Sequence, residues 1–165
     1  MKRTLINWLG LLGVVSLISY TVAVVFSPMA YPGYNWMSQA VSDLSANNAP
    51  SKMLWNRLAS LYGPCGIVSV MMVCVGVRNK LNKIIRVGIY LFAIMNWISN
   101  VGYSMFPLSD SGNPGTIQDI MHIYVITVLV VLLSVISLIT IMIGGYREKK
   151  YRGIAKWATL ALLLM

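Results

Sequence analysis

The chain reads as an all-α integral membrane protein, a helical bundle with four full transmembrane helices plus a partial or truncated fifth. Three observations predict this. Of 165 residues, 58% are hydrophobic and 10% charged, with a mean hydropathy of +0.73, whereas a soluble domain carries about 25% charged residues. Four near-continuous apolar runs, 5–26, 54–76, 87–106 and 121–144, are each long enough to cross a hydrocarbon core of ~30 Å at ~1.5 Å per residue. Eleven of the thirteen Lys/Arg fall at the N-terminus, in 78–86 or in 147–156, always on one side of those runs. Because the runs do not alternate polar with apolar residues, a transmembrane barrel is rejected. One bundle over 1–165 follows, with spans near 5–26, 54–76, 87–106 and 119–144, an incomplete segment at 154–165, and outer loops at 27–53 and 107–118.

The charge distribution sets an expected orientation. A net charge of +9 invites a nucleic-acid reading, but the basic residues are short clusters beside apolar spans. That is the positive-inside bias, with anionic lipid headgroups as natural neighbours. No interleaving of aromatic and basic residues builds a nucleic-acid platform, so no nucleic-acid partner is expected. The expected location is the cell membrane, multi-pass, with a cytoplasmic N-terminus and membrane lipids as partners. The first segment starts Met1-Lys2-Arg3, but its apolar run of about 22 residues exceeds the ~7–15 of a secretory signal and ends in no clear cleavage site. It reads as a retained span.

The loop at 27–53 is punctuated by Pro28, Pro32 and Gly33, with Tyr31, Tyr34 and Trp36 forming an aromatic belt. The spacing of Met37, Val41 and Leu44 against Ser38, Ser42 and Ser45 predicts a short amphipathic helix over 35–45. Ser51 is the expected cap of the second span. The first two spans carry matching rows of small residues, Gly10, Gly13, Ser16 and Ser19 against Ser60, Gly63, Gly66 and Ser69. Such rows allow close backbone approach, and the favoured reading is an intramolecular antiparallel pair, with a homodimer face as the alternative. Pro64 should kink the second span. Cys65 and Cys74, nine positions apart in one helix, cannot form a disulfide and read as small apolar residues. In the third span, Asn96 and Asn100 should face the interior as interhelical hydrogen-bonding groups. The segment 154–165 is too short to span and reads as truncated.

Ionisable chemistry concentrates on the loop side, in Asp43, Asp110, Asp119 and the single histidine, His122. Residues 107–115 are turn chemistry. Thr116 should cap the fourth span, with Asp119 completing a capping box. A chemical reading makes Asp43, Asp119 and His122 a catalytic set, with a carboxylate orienting the imidazole as general base and a loop serine as nucleophile. Asp43, Asp110, Asp119 and His122 would also suit a divalent metal. The structural reading of the same residues is caps, turn formers and one interfacial histidine, and it is the more economical. With one histidine, haem held by two axial imidazoles is excluded within one chain. No charge sits near the middle of a span, which weighs against a transporter.

Pro32-Gly33-Tyr34-Asn35-Trp36 followed by Val41-Ser42-Asp43-Leu44-Ser45 resembles the opening signature of the domain-of-unknown-function 998 family of small multi-pass membrane proteins. Gly63-Pro64, Gly102 to Phe106-Pro107, and His122 at the start of the fourth span extend the likeness. The resemblance implies six spans, makes Asp43 and His122 the positions to watch, and supplies no reaction. The expected function is non-catalytic lipid or partner binding through the outer face, the partner being lipid, another membrane protein or a second copy. The alternative is an outer-leaflet lipid headgroup hydrolase or transferase using Asp43, Asp119 and His122; a transporter comes third.

Overall fold

The computed structural model describes residues 4–110 and 115–165; the basic start at 1–3 and the turn expected over 111–114 lie outside the described residues. Five helices follow in order: α1 (Leu5–Ala30), α2 (Lys52–Val77), α3 (Lys83–Met105), α4 (Ile117–Tyr146) and the shorter α5 (Arg152–Leu163). No strand occurs among the described residues. The first four helices are long and apolar enough to cross a membrane, yet only 11–28% of each apolar window is buried within the chain. The rest, including Leu17, Ile18 and Leu132, faces outward. Water would penalise that surface; hydrocarbon accepts it, provided backbone polar groups are paired inside helices.

The helices pack in a row, each on its neighbour in the chain, with the most extensive contact between α3 and α4. Non-neighbouring spans share no extensive interface. The end carrying the two long connections is here the loop end, and the end carrying 78–82 and 147–151 the basic end.

Close backbone approach fixes each pairing. Between α1 and α2 the small residues of α1 meet Gly66 and Ser69 antiparallel, while Gly63 faces Asn100 of α3 and Ser60 is exposed, so only half of the expected α2 row is used in this pair. Ser16 Oγ donates to the Tyr62 carbonyl at 2.7 Å, Ser19 Oγ to Leu58 at 2.5 Å, and Ser69 Oγ to Gly10 at 2.6 Å. A Cβ on Gly13 would lie 2.7 Å from Ser69 Oγ, and one on Gly66 3.0 Å from Ser16 Oγ. Between α3 and α4, Ser137 Oγ donates to the Gly88 carbonyl at 2.9 Å, and a Gly88 Cβ would come 2.6 Å from Ile141 Cγ1. At the basic end, Gly144 admits the Ile85 backbone and Gly145 admits Ala155 of α5. Asn82 then ties the turn together: its Oδ1 caps α3 at Ile85 N–H, 2.9 Å, and its Nδ2 donates to the Gly144 carbonyl, 2.9 Å, and to Glu148, 2.8 Å. This cap starts α3 at Lys83, four residues before the apolar run begins.

Three local expectations are corrected. Residues 35–45 are not one helix: turns lead to a short 3-10 helix over Val41–Ser45. Side chains there compete with helical bonding: Gln39 Oε1 takes the Asn35 N–H at 2.8 Å and Asn35 Oδ1 the Met37 N–H at 2.9 Å. Ser51 occupies the cap position of α2 but makes no cap bond; buried, it donates to the Leu44 carbonyl at 2.8 Å. Asn96 and Asn100 bond along their own helix, to the carbonyls of Phe92 at 3.0 Å and Asn96 at 2.9 Å, rather than between helices. The irregularity expected at Pro64 is a break between Leu58 and Tyr62, in the turn where proline crowds the preceding carbonyl and withholds an N–H. Cys65 and Cys74 are both free.

Glycine notches give a directional test. Gly88→Ala should lower stability in detergent by about 1–3 kcal/mol, because the added methyl overpacks a backbone contact. Gly10→Ala meets nothing within 4 Å and should be neutral or stabilising by up to ~1 kcal/mol. Thermal unfolding of the two variants beside the parent checks the sign.

Candidate functional site

The two connections at the loop end close onto each other before any cavity forms. Asn47 N–H donates to the Leu108 carbonyl at 2.8 Å, Asn48 Nδ2 donates to the Asp110 carboxylate, and Gln118 Nε2 donates to the Pro107 carbonyl. Ala46, Ala49 and Leu108 form a buried apolar seam between them, flanked by Tyr31 and Ile123.

Each sequence-flagged aspartate is consumed in this construction. Asp43 is 6% exposed and accepts the Ala40 N–H at 3.1 Å, holding the 3-10 turn. Burial first, then the Asp43 charge, push the Tyr34 hydroxyl above its ordinary value, which keeps it a donor toward the Ala40 carbonyl, 3.2 Å away. Asp110 is occupied with Asn48. Asp119 is fully buried and completes the capping box expected with Thr116. Its Oδ1 accepts the Ser109 N–H at 2.6 Å; its Oδ2 accepts the Ser109 hydroxyl, the Thr116 N–H at 3.1 Å and the Thr116 hydroxyl at 2.7 Å.

His122 hydrogen-bonds none of them. It opens a π-helical turn, Met121–Ile126, a wider coil that recurs at functional sites. Thr127 Oγ1 bonds the His122 carbonyl at 2.9 Å and meets the Tyr103 hydroxyl at 3.0 Å, while Ile126 seats in the notch left by Gly102. The imidazole is 6% exposed, lies 4.7 Å from the Tyr103 ring centroid, and places Nδ1 2.6 Å from the Phe106 carbonyl. A carbonyl only accepts, so Nδ1 carries the hydrogen and Nε2 of the neutral ring keeps its lone pair. Nε2 makes no hydrogen bond among the described residues.

That ring lines a cavity of about 790 Å³ at the loop end, within the ~300–1,000 Å³ usual for small-molecule sites. α1 contributes Tyr20; α2 contributes Lys52, Trp55, Asn56 and Ser60; α3 contributes Ser99, Asn100, Tyr103 and Ser104; α4 contributes His122 and Thr127; Val41, Ser42 and Ser45 form the roof. The aromatic wall is rigid: Tyr20 packs on Tyr62 with centroids 4.9 Å apart and edge-on to Trp55 at 6.0 Å. None of the three loop aspartates lines it.

His122 is oriented by a backbone carbonyl rather than a carboxylate. Asp119 gives both oxygens to loop N–H and hydroxyl groups, and Asp43 Oδ2 takes the Ala40 N–H. Among the described residues no group of three or more His, Cys, Asp or Glu lies close enough to hold a metal ion, so Asp43, Asp110, Asp119 and His122 do not form the anticipated metal cluster. Sequence reasoning missed the cavity wall, above all Lys52, Asn56 and Ser60. Their spacing of four along α2 was the signal that would have found it.

Asp119→Ala removes the acceptor for four donors and should lower the unfolding temperature in detergent by more than Asp110→Ala does, a ranking that paired melting curves check directly.

No curated protein and no solved structure matches the chain. A family model described as "Protein of unknown function (DUF998)" matches residues 14–165, which covers all four membrane-length helices apart from the start of α1 and includes every wall residue of the cavity. The chain belongs to the DUF998 family of unknown function.

Proposed function

We propose that this is a multi-pass protein of the cell membrane, with its N-terminus and basic end in the cytoplasm, that binds a lipid by its polar head in the loop-end cavity without transforming it. The charge bias supports the orientation: both basic connections share one end, and among the described residues Lys52 and Arg57 are the only Lys/Arg outside it. The observation that carries the binding reading is the cavity itself. Polar side chains of α2 and α3 line it beside the aromatic cluster of Tyr20, Trp55 and Tyr62, and it opens among helices whose outer surfaces are apolar. A headgroup finds hydrogen-bonding partners there while its chains remain beside apolar spans.

The hydrolase alternative draws no support from the geometry around His122, which lacks a carboxylate partner. A homodimer through the small-residue rows is likewise disfavoured, since α1 uses its row on α2.

Ser60→Trp fills the cavity from an exposed position on its wall. Released from nanodiscs into native mass spectrometry, the parent chain should retain one lipid per chain, and the variant at least about tenfold less. Equal retention by both proteins would overturn the binding reading. For orientation, a membrane-impermeant maleimide applied to intact cells should label Ser109→Cys and spare Lys149→Cys, in chains whose own two cysteines are replaced by alanine.

A further inference from the structure

Lys52 is one of two basic residues away from the basic end, and it lines the cavity. Its Nζ donates to Asn47 Oδ1 at 2.7 Å, a neutral amide, and it makes no ion pair among the described residues. The loop-end acids hydrogen-bond neutral groups instead, Asp43 the Ala40 N–H, Asp110 Asn48, Asp119 Ser109 and Thr116. The fourth acid, Glu148, bonds Asn82 at the opposite end.

The rest of the wall has the same bias. Ser42, Asn56, Ser60, Asn100, Tyr103 and Ser104 are all able to donate a hydrogen bond, and no acceptor-only carboxylate lines the cavity. His122 is the exception: with Nδ1 donating to the Phe106 carbonyl, its second nitrogen is an acceptor in that tautomer. A cation at the edge of a low-dielectric region, faced by neutral donors, attracts an acceptor-rich anion more strongly than it would in water.

We infer that the cavity selects an anion, a phosphate or carboxylate head group, with Lys52 supplying the charge and the hydroxyl and amide groups of α2 and α3 supplying the donors. This rests on the binding reading above and narrows it to one ligand chemistry. A cationic head group is disfavoured by Lys52, and an uncharged one leaves the lysine unanswered.

The test uses the full chain in a neutral maltoside detergent, with dihexanoyl phosphatidic acid, dihexanoylglycerol and inorganic phosphate as probes and unfolding temperature as readout, since a ligand of the native state raises it with concentration. Phosphatidic acid should stabilise the parent and dihexanoylglycerol should do so much less. Lys52→Gln should weaken phosphatidic acid binding by about tenfold or more, the scale of one charge-assisted hydrogen bond, while Arg57→Gln leaves it unchanged. Comparing unliganded melting temperatures separates a folding defect from a binding defect, and Lys52→Arg, which keeps the charge, should retain binding. Inorganic phosphate binding as tightly as phosphatidic acid would make a free anion the ligand and uphold the selection. Equal binding of phosphatidic acid and dihexanoylglycerol, unaffected by Lys52→Gln, would overturn anion selection yet leave lipid binding standing. No stabilisation by either amphiphile or by phosphate would overturn both.

Discussion

The rest of the structure depends on one kind of contact, a serine hydroxyl or glycine notch set against the backbone of the next helix. Between apolar helices in hydrocarbon, burial of leucine against leucine offers little over leucine against lipid, so close packing and hydrogen bonds must hold the array. Ser16, Ser19 and Ser69 join α1 to α2, Ser137 joins α4 to α3, and Gly145 lets α5 approach α4. Each bond fixes a register along the helix axis. The register in turn puts Tyr20 against Tyr62 and Trp55, and it puts the Phe106 carbonyl within reach of His122. The cavity is what those registers leave at the loop end.

The aspartates give that end its shape and, by being used up there, its charge. A buried carboxylate is tolerated when several donors share it, and Asp119 has the Ser109 and Thr116 backbone and hydroxyl groups. The same bonds hold the charged carboxylate off the cavity lining. Asp43, locked to the Ala40 N–H, does likewise in the other connection. Residues that look from composition like a catalytic cluster thus brace the connections in three dimensions, around a cavity that Lys52 lines and none of the aspartates does.

Sequence carried the helices and much of the packing. Long apolar runs, the row of small residues in the first span, half of the row in the second and the Thr116–Asp119 capping box are local or periodic signals, and each led to the element or contact found. Pro64 likewise marked its break. What it did not carry depends on competition or on distant partners. The helix expected over 35–45 lost to the side chains of Asn35, Gln39 and Asp43, which satisfy loop N–H groups more cheaply than a helix would. Ser51 had a cap within reach and found the Leu44 carbonyl instead. Gly88, Gly102 and Gly144 sit in unremarkable sequence, because a notch is defined by Ile141, Ile126 and Ile85 packed against it from elsewhere in the chain. The π turn at His122 has no period of its own to read. Lys52 was legible as an exception to the charge bias, but only the fold put it on a wall with no acid.

The row-like packing gives that wall its significance. A closed bundle would hide Asn56, Ser60 and Ser104 in its middle; here they remain exposed while lining the cavity. Ser60 lies eight residues beyond Lys52, in the break between Leu58 and Tyr62, so the polar wall residues continue from the lysine as far as that break. Polar side chains facing hydrocarbon over that depth are costly unless something polar meets them. Water can meet the upper part, but Tyr20 of α1 and Trp55 and Tyr62 of α2 itself bring apolar ring faces into the same lining. That mixture of hydrogen-bonding groups and aromatic faces, with Lys52 toward the loop end, supports the lipid proposed above, whose head would meet the polar groups and whose chains would leave between the spans.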